Sequence, residues 1–199
     1  MTPSQLTSRL AAWGLAISVA ASAWGHEPPA IPDQPKLLKP AEILKLMGAK
    51  GAKGVTPANR RIYVRIFARL DADGDGRLSK KEFIENGAYL NKRARTGIFA
   101  ASDSDKDDVV SSAEYFENRI ITDEAKRIVG AMDADQNGRV SAQEFVDRSP
   151  VKDKPTAERI FRLLDTDKSG DLVTPEYLRV WGKWARAGGN PNPQPQQER

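Results

Sequence analysis

Apolar residues recur at helical spacing in four separate stretches of this chain, and each stretch runs into a short acidic segment. In the first stretch, Ile62, Ile66 and Leu70 fall on one face of a helix that would begin after Thr56 as its cap. The second stretch is weaker because a glycine lies inside it, and the third would begin at Thr122. A bulky apolar or aromatic residue follows each acidic segment and starts a further helix. The pattern therefore predicts an all-α fold built from helix, loop, helix units.

The four acidic segments are copies of one 12-residue pattern, and they begin at positions 71, 103, 133 and 165. They read DADGDGRLSKKE, DSDKDDVVSSAE, DADQNGRVSAQE and DTDKSGDLVTPE, and are called loops 1 to 4 below. Such regular spacing indicates an internal repeat. Carboxylates held this close together repel by roughly 1 kcal/mol per pair or more, so a cation is expected between them.

These units resemble EF-hands, and the region from about residue 56 to residue 186 resembles a four-EF-hand, calmodulin-like protein. The chain looks most similar to exported bacterial EF-hand calcium-binding proteins. The resemblance implies two EF-hand pairs, at 56–121 and 122–187, each closed by a short antiparallel β bridge between its loops. An apolar residue at the eighth loop position should form that bridge. In the four loops it is Leu78, Val110, Val140 and Leu172.

The resemblance also implies a ligand set for calcium. Side-chain oxygens would come from loop positions 1, 3, 5 and 12, and a backbone carbonyl from position 7. The corresponding residues are Asp71, Asp73, Asp75, Arg77 and Glu82; Asp103, Asp105, Asp107, Val109 and Glu114; Asp133, Asp135, Asn137, Arg139 and Glu144; Asp165, Asp167, Ser169, Asp171 and Glu176. Magnesium is the competing ion, but a glutamate that can bind through both oxygens at position 12 favours calcium.

The loops are not equivalent, and two of them depart from the pattern. Position 6 needs a positive φ, which Gly76 supplies in loop 1, whereas loop 2 has Asp108 there. Loop 4 has Val173 at position 9, where a side-chain oxygen would hold a water. Asn137 in loop 3 removes one charge but keeps an oxygen. We therefore expect up to four calcium ions, with weaker binding at loops 2 and 4.

The regions outside the loops suggest export. Residues 1–23 follow the pattern of a secretory signal peptide, which predicts a periplasmic or secreted protein, and the apolar run is too short for a membrane span. Residues 24–55 combine a proline-rich linker with a short basic amphipathic helix, which would pack on the first lobe, act as a tether, or fill a groove of the protein itself. Residues 188–199 should be a disordered tail. There is no cysteine, so packing or metal must replace disulfides.

Charge and composition narrow the functional classes. Sixteen of the 27 acidic residues lie in the loops. The chain's formal charge of +4 would become about +3 without Arg9 and about +11 with four calcium ions. Such a basic surface could bind anionic envelope components. Nothing favours an enzyme or specific nucleic-acid binding: the single histidine is His26 in the proline-rich stretch, and no phosphate loop or nucleophile elbow is present.

Two functions remain open from the sequence. One is a calcium sensor or buffer, in which a sensor would open on calcium to expose an apolar groove to a protein target. Only Met47 and Met132 follow the signal segment, so a methionine-rich groove is not expected. The alternative is a structural or interaction protein that calcium keeps folded.

Overall fold

The structure is a computed structural model that describes residues 38–88 and 90–187. The predicted signal peptide at 1–23, the proline-rich stretch up to residue 37 and the tail at 188–199 lie outside the described residues. None of the helices in the described part is long and apolar enough to cross a membrane.

The described chain contains seven α-helices and four short strands. The helices are α1 (Pro40–Leu46), α2 (Pro57–Leu70), α3 (Lys92–Ser102), α4 (Ser112–Gly130), α5 (Ala142–Arg148), α6 (Lys154–Leu164) and α7 (Thr174–Ala187). The strands are β1 (Arg77–Ser79), β2 (Val109–Ser111), β3 (Arg139–Ser141) and β4 (Asp171–Val173). A 3-10 turn covers Gly51–Gly54, and the exit helix of the first unit is a single π-helical turn at Lys81–Glu85.

The strands join the loops in pairs, as the sequence predicts. β1 pairs antiparallel with β2, and β3 pairs antiparallel with β4. Leu78 lies opposite Val110, and Val140 lies opposite Leu172. All four side chains are buried, because they point from the bridge into the helices below it. The prediction of an all-α fold with two EF-hand pairs and short β bridges is confirmed.

Each pair has its own apolar core beneath its bridge. The first core is rich in aromatic rings: Phe67 meets Tyr115 edge to face with centroids 5.4 Å apart, and Phe83 meets Phe99 at 5.7 Å. The second core is larger and mostly aliphatic. Its fully buried members include Met132, Phe145, Ile160, Leu164 and Trp181.

Helix α4 connects the two pairs without interruption. It contains both the exit helix of loop 2 and the entering helix of loop 3. The expectation that a helix begins at Thr122 is wrong, since this residue lies inside α4 and its hydroxyl donates to the Asn118 carbonyl at 2.8 Å. Arg186 of α7 joins the pairs again by donating to the Ala101 carbonyl at 2.7 Å and the Asn118 side chain at 3.0 Å.

The amphipathic helix α1 packs on the second pair and not on the first. Ile43 and Met47 each have 1% exposure and belong to the second core. Their neighbours there are residues of α4 and α7, among them Trp181. Residues far apart in the chain are thus brought together by this short helix.

The four buried bridge residues should contribute strongly to the stability of the fold. We expect Leu172→Ala to lower the free energy of unfolding by about 2–5 kcal/mol, because Leu172 has 0% exposure and the substitution leaves a cavity under the bridge. Leu163→Ala is the matched control, since Leu163 is 45% exposed and should cost far less. Urea unfolding with calcium present measures both variants, and equal losses would contradict this account.

Candidate metal centres

Three acidic side chains converge in each of the four loops. They come from positions 1, 3 and 12, and in every loop one oxygen of each lies within 4.8 Å of the others. The groups are Asp71, Asp73 and Glu82; Asp103, Asp105 and Glu114; Asp133, Asp135 and Glu144; Asp165, Asp167 and Glu176. Three of the five predicted ligands in each loop are therefore brought together around one point.

The glutamate at position 12 is oriented by two ends of its own loop. In loop 1, one oxygen of Glu82 accepts from the Ala72 amide at 2.8 Å. Its other oxygen accepts from the Ser79 amide at 2.9 Å and from the Ser79 hydroxyl at 2.7 Å. Loops 2 and 3 repeat this arrangement, where the serine at position 9 is the N-cap of the exit helix and the glutamate completes a capping box. From the sequence, position 9 is expected only to hold a water, so its capping role is revealed by the structure.

These hydrogen bonds favour the ionised form of the glutamates in loops 1 to 3. The Ser141 amide and hydroxyl, with the Ala134 amide, lower the pKa of Glu144 from 4.5 to about 2. The Ser79 hydroxyl and amide likewise lower the pKa of Glu82. Burial alone raises the pKa of Glu114, but donors at both ends of loop 2 outweigh it, so that pKa is lowered too. The carboxylates of Glu82, Glu114 and Glu144 therefore stay ionised to a lower pH than an ordinary glutamate.

Loop 4 lacks the serine, and its glutamate differs in consequence. Glu176 uses one oxygen to accept from the Thr166 amide at 2.8 Å and the Asp167 amide at 3.1 Å. Val173 at position 9 offers no hydroxyl, and the other oxygen, Oε2, is buried without a hydrogen-bond partner. A buried carboxylate oxygen with no partner is costly unless a cation meets it.

The predicted ligands at position 5 have another use in this structure. The side chains of Asp75, Asp107 and Asn137 accept from the position 7 amide of their own loop at 2.7–3.1 Å. Ser169 accepts from the Asp171 amide at 3.4 Å, and its hydroxyl also donates to the Asp171 carbonyl at 2.9 Å. Asp107 also forms an ion pair with Arg77 of loop 1. Position 5 therefore shapes the turn, and in loop 2 it links the two loops of the pair.

The turn in each loop contains two residues with left-handed backbone, at positions 4 and 6. The sequence predicts this conformation only at position 6. In loop 2 both are non-glycine, Lys106 with φ 61° and Asp108 with φ 69°. The position 6 amide donates to the position 1 carboxylate in every loop, as from Asp108 to Asp103 at 3.2 Å. The left-handed turn thus points amides at the carboxylate that would face the ion.

The donor set fits calcium. All gathered groups are carboxylate oxygens, which suit a hard cation such as calcium. Two buried carboxylate oxygens without partners, Asp103 Oδ1 and Glu176 Oε2, lie in these clusters. They belong to loops 2 and 4, for which the sequence analysis expected weaker binding. Bound calcium would be held by the residues at positions 1, 3 and 12, and would supply the positive charge that the gathered carboxylates need.

Paired helix-loop-helix units with an oxygen-lined loop define a calcium-binding protein of the EF-hand type. Residues 59–149 match the family model described as an EF-hand domain pair, a stretch that includes loops 1 to 3. With the four acidic clusters, this match supports calcium binding at up to four sites.

Comparison with known proteins finds similarity to calcium-dependent kinases. The chain is 28% identical over 136 residues to calcium-dependent protein kinase 4 of Plasmodium berghei (strain Anka) and of Plasmodium falciparum (isolate 3D7). The alignment covers 66% of this chain and 23% of each kinase, so the chain spans less than a quarter of these relatives.

Solved structures with similarity include a homolog of programmed cell death 6 protein from Leishmania major Friedlin, at 18% identity and a TM-score of 0.37, covering 59% of this chain and 69% of that one. Another is a Streptomyces coelicolor calcium-binding protein, at 17% identity and a TM-score of 0.30, covering 63% of this chain and 96% of that one.

The contribution of the capping serine to stability can be tested by removing it from loop 3 and by adding it to loop 4. We expect Ser141→Ala to cost about 1 kcal/mol of stability in calcium-free buffer, and Val173→Ser to add about as much by capping α7. The stabilisation from Glu144 is present above its ordinary pKa of 4.5 and is lost as the pH falls through about 2. In Ser141→Ala that pKa should rise toward 4.5, although the backbone donors remain. Urea unfolding and an NMR titration of the Glu144 carboxyl carbon measure these effects, and an unchanged pKa would contradict the assigned cause.

The left-handed turn of loop 2 gives a third prediction. We expect Asp108→Gly to raise the calcium affinity of loop 2 about twofold to tenfold, because a non-glycine residue pays roughly 1 kcal/mol or more for this backbone conformation. The cost of the substitution is an exposed ion pair with Lys80, which contributes little. Asp108→Asn is the control, since it removes the same charge but keeps a side chain. Calorimetry that finds equal gains in both variants would assign the effect to charge and not to backbone.

Proposed function

We propose that this chain is an exported calcium sensor that presents an apolar cleft on its first EF-hand pair to a protein target. The observation that carries this proposal is an open cleft of about 510 Å³ in that pair. Its apolar lining comes from Ile66, Leu70, Phe83, Leu90 and Ile98. Leu90 is 50% exposed and adjoins the other apolar residues of this lining, so the apolar surface of the cleft is contiguous and open to solvent.

The cleft lies among the helices that the loops control. Its walls come from α2, which enters loop 1, and from α3 and α4, which enter and leave loop 2. Met47 and Met132 are both buried in the second core, so the open cleft is lined by branched and aromatic side chains. Such a lining supports a narrower range of targets than an adaptable methionine-rich groove.

The chain acts, in this proposal, by binding and not by catalysis. Its kinase relatives carry that activity in proteins more than four times the aligned length, and this chain shares 136 residues with them. Location in the periplasm or outside the cell rests on the signal-like sequence at 1–23. The basic surface of the loaded form would add attraction to anionic envelope components.

A second candidate function has its own support. The unpartnered buried oxygens Asp103 Oδ1 and Glu176 Oε2 favour a protein whose fold calcium completes. In that case binding would be folding, and calcium would serve structure more than signalling.

Circular dichroism and an apolar fluorescent dye separate these functions when recorded on the same samples in EDTA and in calcium. A sensor should stay helical in EDTA and bind more dye with calcium. Leu90→Glu should reduce the calcium-dependent dye signal severalfold, because it places a charge in the cleft. Leu163→Glu, at a similarly exposed leucine of the second pair, is the control and should leave the signal nearly unchanged. Loss of helix in EDTA would favour the structural function, and no response to calcium in either readout would contradict both.

A further inference from the structure

We propose that residues 39–54 are a resident ligand of the second EF-hand pair, and that docking of this segment and calcium binding at loops 3 and 4 favour each other. These residues comprise α1 and the 3-10 turn after it, and are called the docking segment below. The inference rests on the calcium binding proposed above, but docking can be measured separately from it.

The docking segment has a defined structure of its own. Two residues after the end of α1 at Leu46 comes a glycine with left-handed backbone, Gly48, whose φ is 78°. The Gly48 amide donates to the Lys45 carbonyl at 3.0 Å, and the Ala49 amide donates to the Leu44 carbonyl at 2.9 Å. These two bonds form a Schellman motif, which stops the helix and turns the chain. The sequence therefore specifies where the helix ends and where the chain goes next.

Two apolar anchors hold the docking segment in the second core. Ile43 and Met47 lie four residues apart, on one face of α1, and each has 1% exposure. They join a cluster that includes Ile121 of α4 and Trp181 of α7. Leu46, by contrast, is 43% exposed. This is the pattern by which an amphipathic helix binds a groove, here with the helix supplied by the same chain.

A carboxylate of α4 fixes the other end of the segment. Glu124 accepts from the Lys50 amide at 2.6 Å and from the Gly51 amide at 3.1 Å to each of its oxygens. The Glu124 side chain is only 10% exposed, and its two bonds to the Gly51 amide are partly buried, whereas the bond to the Lys50 amide lies at the surface. Gly51 has φ 56°, a left-handed conformation that lets its amide face the carboxylate. These bonds from two backbone amides to one carboxylate fix the position of the segment along the groove.

The same helices bear both the groove and the calcium ligands. Helix α7 carries Glu176 of loop 4 in its first turn and the groove residue Trp181 farther along. Helix α4 carries Glu124 and ends at Gly130, just before Asp133 of loop 3. The arrangement that gathers the carboxylates of loops 3 and 4 is thus the arrangement in which the segment docks. A ligand with a preference for one arrangement shifts the balance toward it, and the coupling is reciprocal.

Hydrogen exchange of the full chain, read by mass spectrometry, tests docking and calcium binding together. We expect calcium to protect loops 3 and 4 and also to slow exchange in residues 40–54. Glu124→Gln should speed exchange in that segment and lower the calcium affinity of loops 3 and 4 by roughly tenfold. Glu117→Gln, on the same helix, is the matched control and should change neither.

A second experiment measures docking of the segment directly, so that the test does not depend on whether the Glu124→Gln variant folds. A fluorescent peptide of residues 38–54 is titrated into the full chain, with calcium, for the wild type and for the Ile43→Asp, Met47→Asp double variant. The vacated groove should bind the peptide at least tenfold more tightly than the wild type, whose tethered segment competes at high effective concentration. A peptide with the same two substitutions should not bind.

The outcomes separate this inference from the proposed function. Calcium protection of the loops with unchanged exchange in residues 40–54, and no affinity change in Glu124→Gln, would overturn the coupling and leave the sensor intact. Absence of any loop response to calcium would overturn both. Equal peptide binding by the wild type and the double variant would show that the groove is not the site of the segment.

Discussion

Three carboxylates held within 4.8 Å of one another are the constraint on which this structure depends. Left alone they repel, so the chain must supply donors on one side and leave room for a cation on the other. The backbone does the first part by donating amides from positions 2 and 6 of each loop, and in loops 1 to 3 also from position 9, as in loop 1 from Ala72, Gly76 and Ser79. Calcium does the second. Because the glutamate of each cluster also lies in the first turn of an exit helix, the charge balance of the loop sets where that helix begins.

The β bridges transmit this balance between loops. Leu78 and Val110 join the first two loops and lead into an aromatic core, while Val140 and Leu172 join the last two above the larger core. A change in the conformation of one loop should therefore alter the conformation of the loop paired with it. The two pairs then differ in what covers their apolar surfaces: the first keeps an open cleft, and the second is covered by α1. One protein thus combines an open apolar cleft in its first pair with an apolar surface covered by its own chain in the second.

Much of this could be predicted from sequence because the signals are local. A 12-residue loop carries its turn, its ligands and its bridge residue within itself, so the loops and their pairing were predictable. The helix start predicted at Thr122 is wrong because threonine can either cap a helix or lie inside one. The packing of α4 on both pairs determines which of the two occurs here. The site of α1 and the pair formed by Arg77 and Asp107 depend on contacts between distant residues, which no local pattern contains. The absence of a capping hydroxyl at Val173 could be predicted from the sequence, since the other three loops have serine at this position.

Native mass spectrometry of the chain, titrated with calcium and then with excess magnesium, tests the central claim most directly by counting bound ions. The account predicts four calcium ions at saturation, bound in two steps of two because the bridges couple loops within a pair, and retained against magnesium. The same titration of the Glu144→Gln variant should lose ions from the second pair while the first pair still fills. A wild-type chain that binds no more calcium than magnesium, or that takes up ions without saturation, would contradict the claim that these carboxylate clusters are calcium sites.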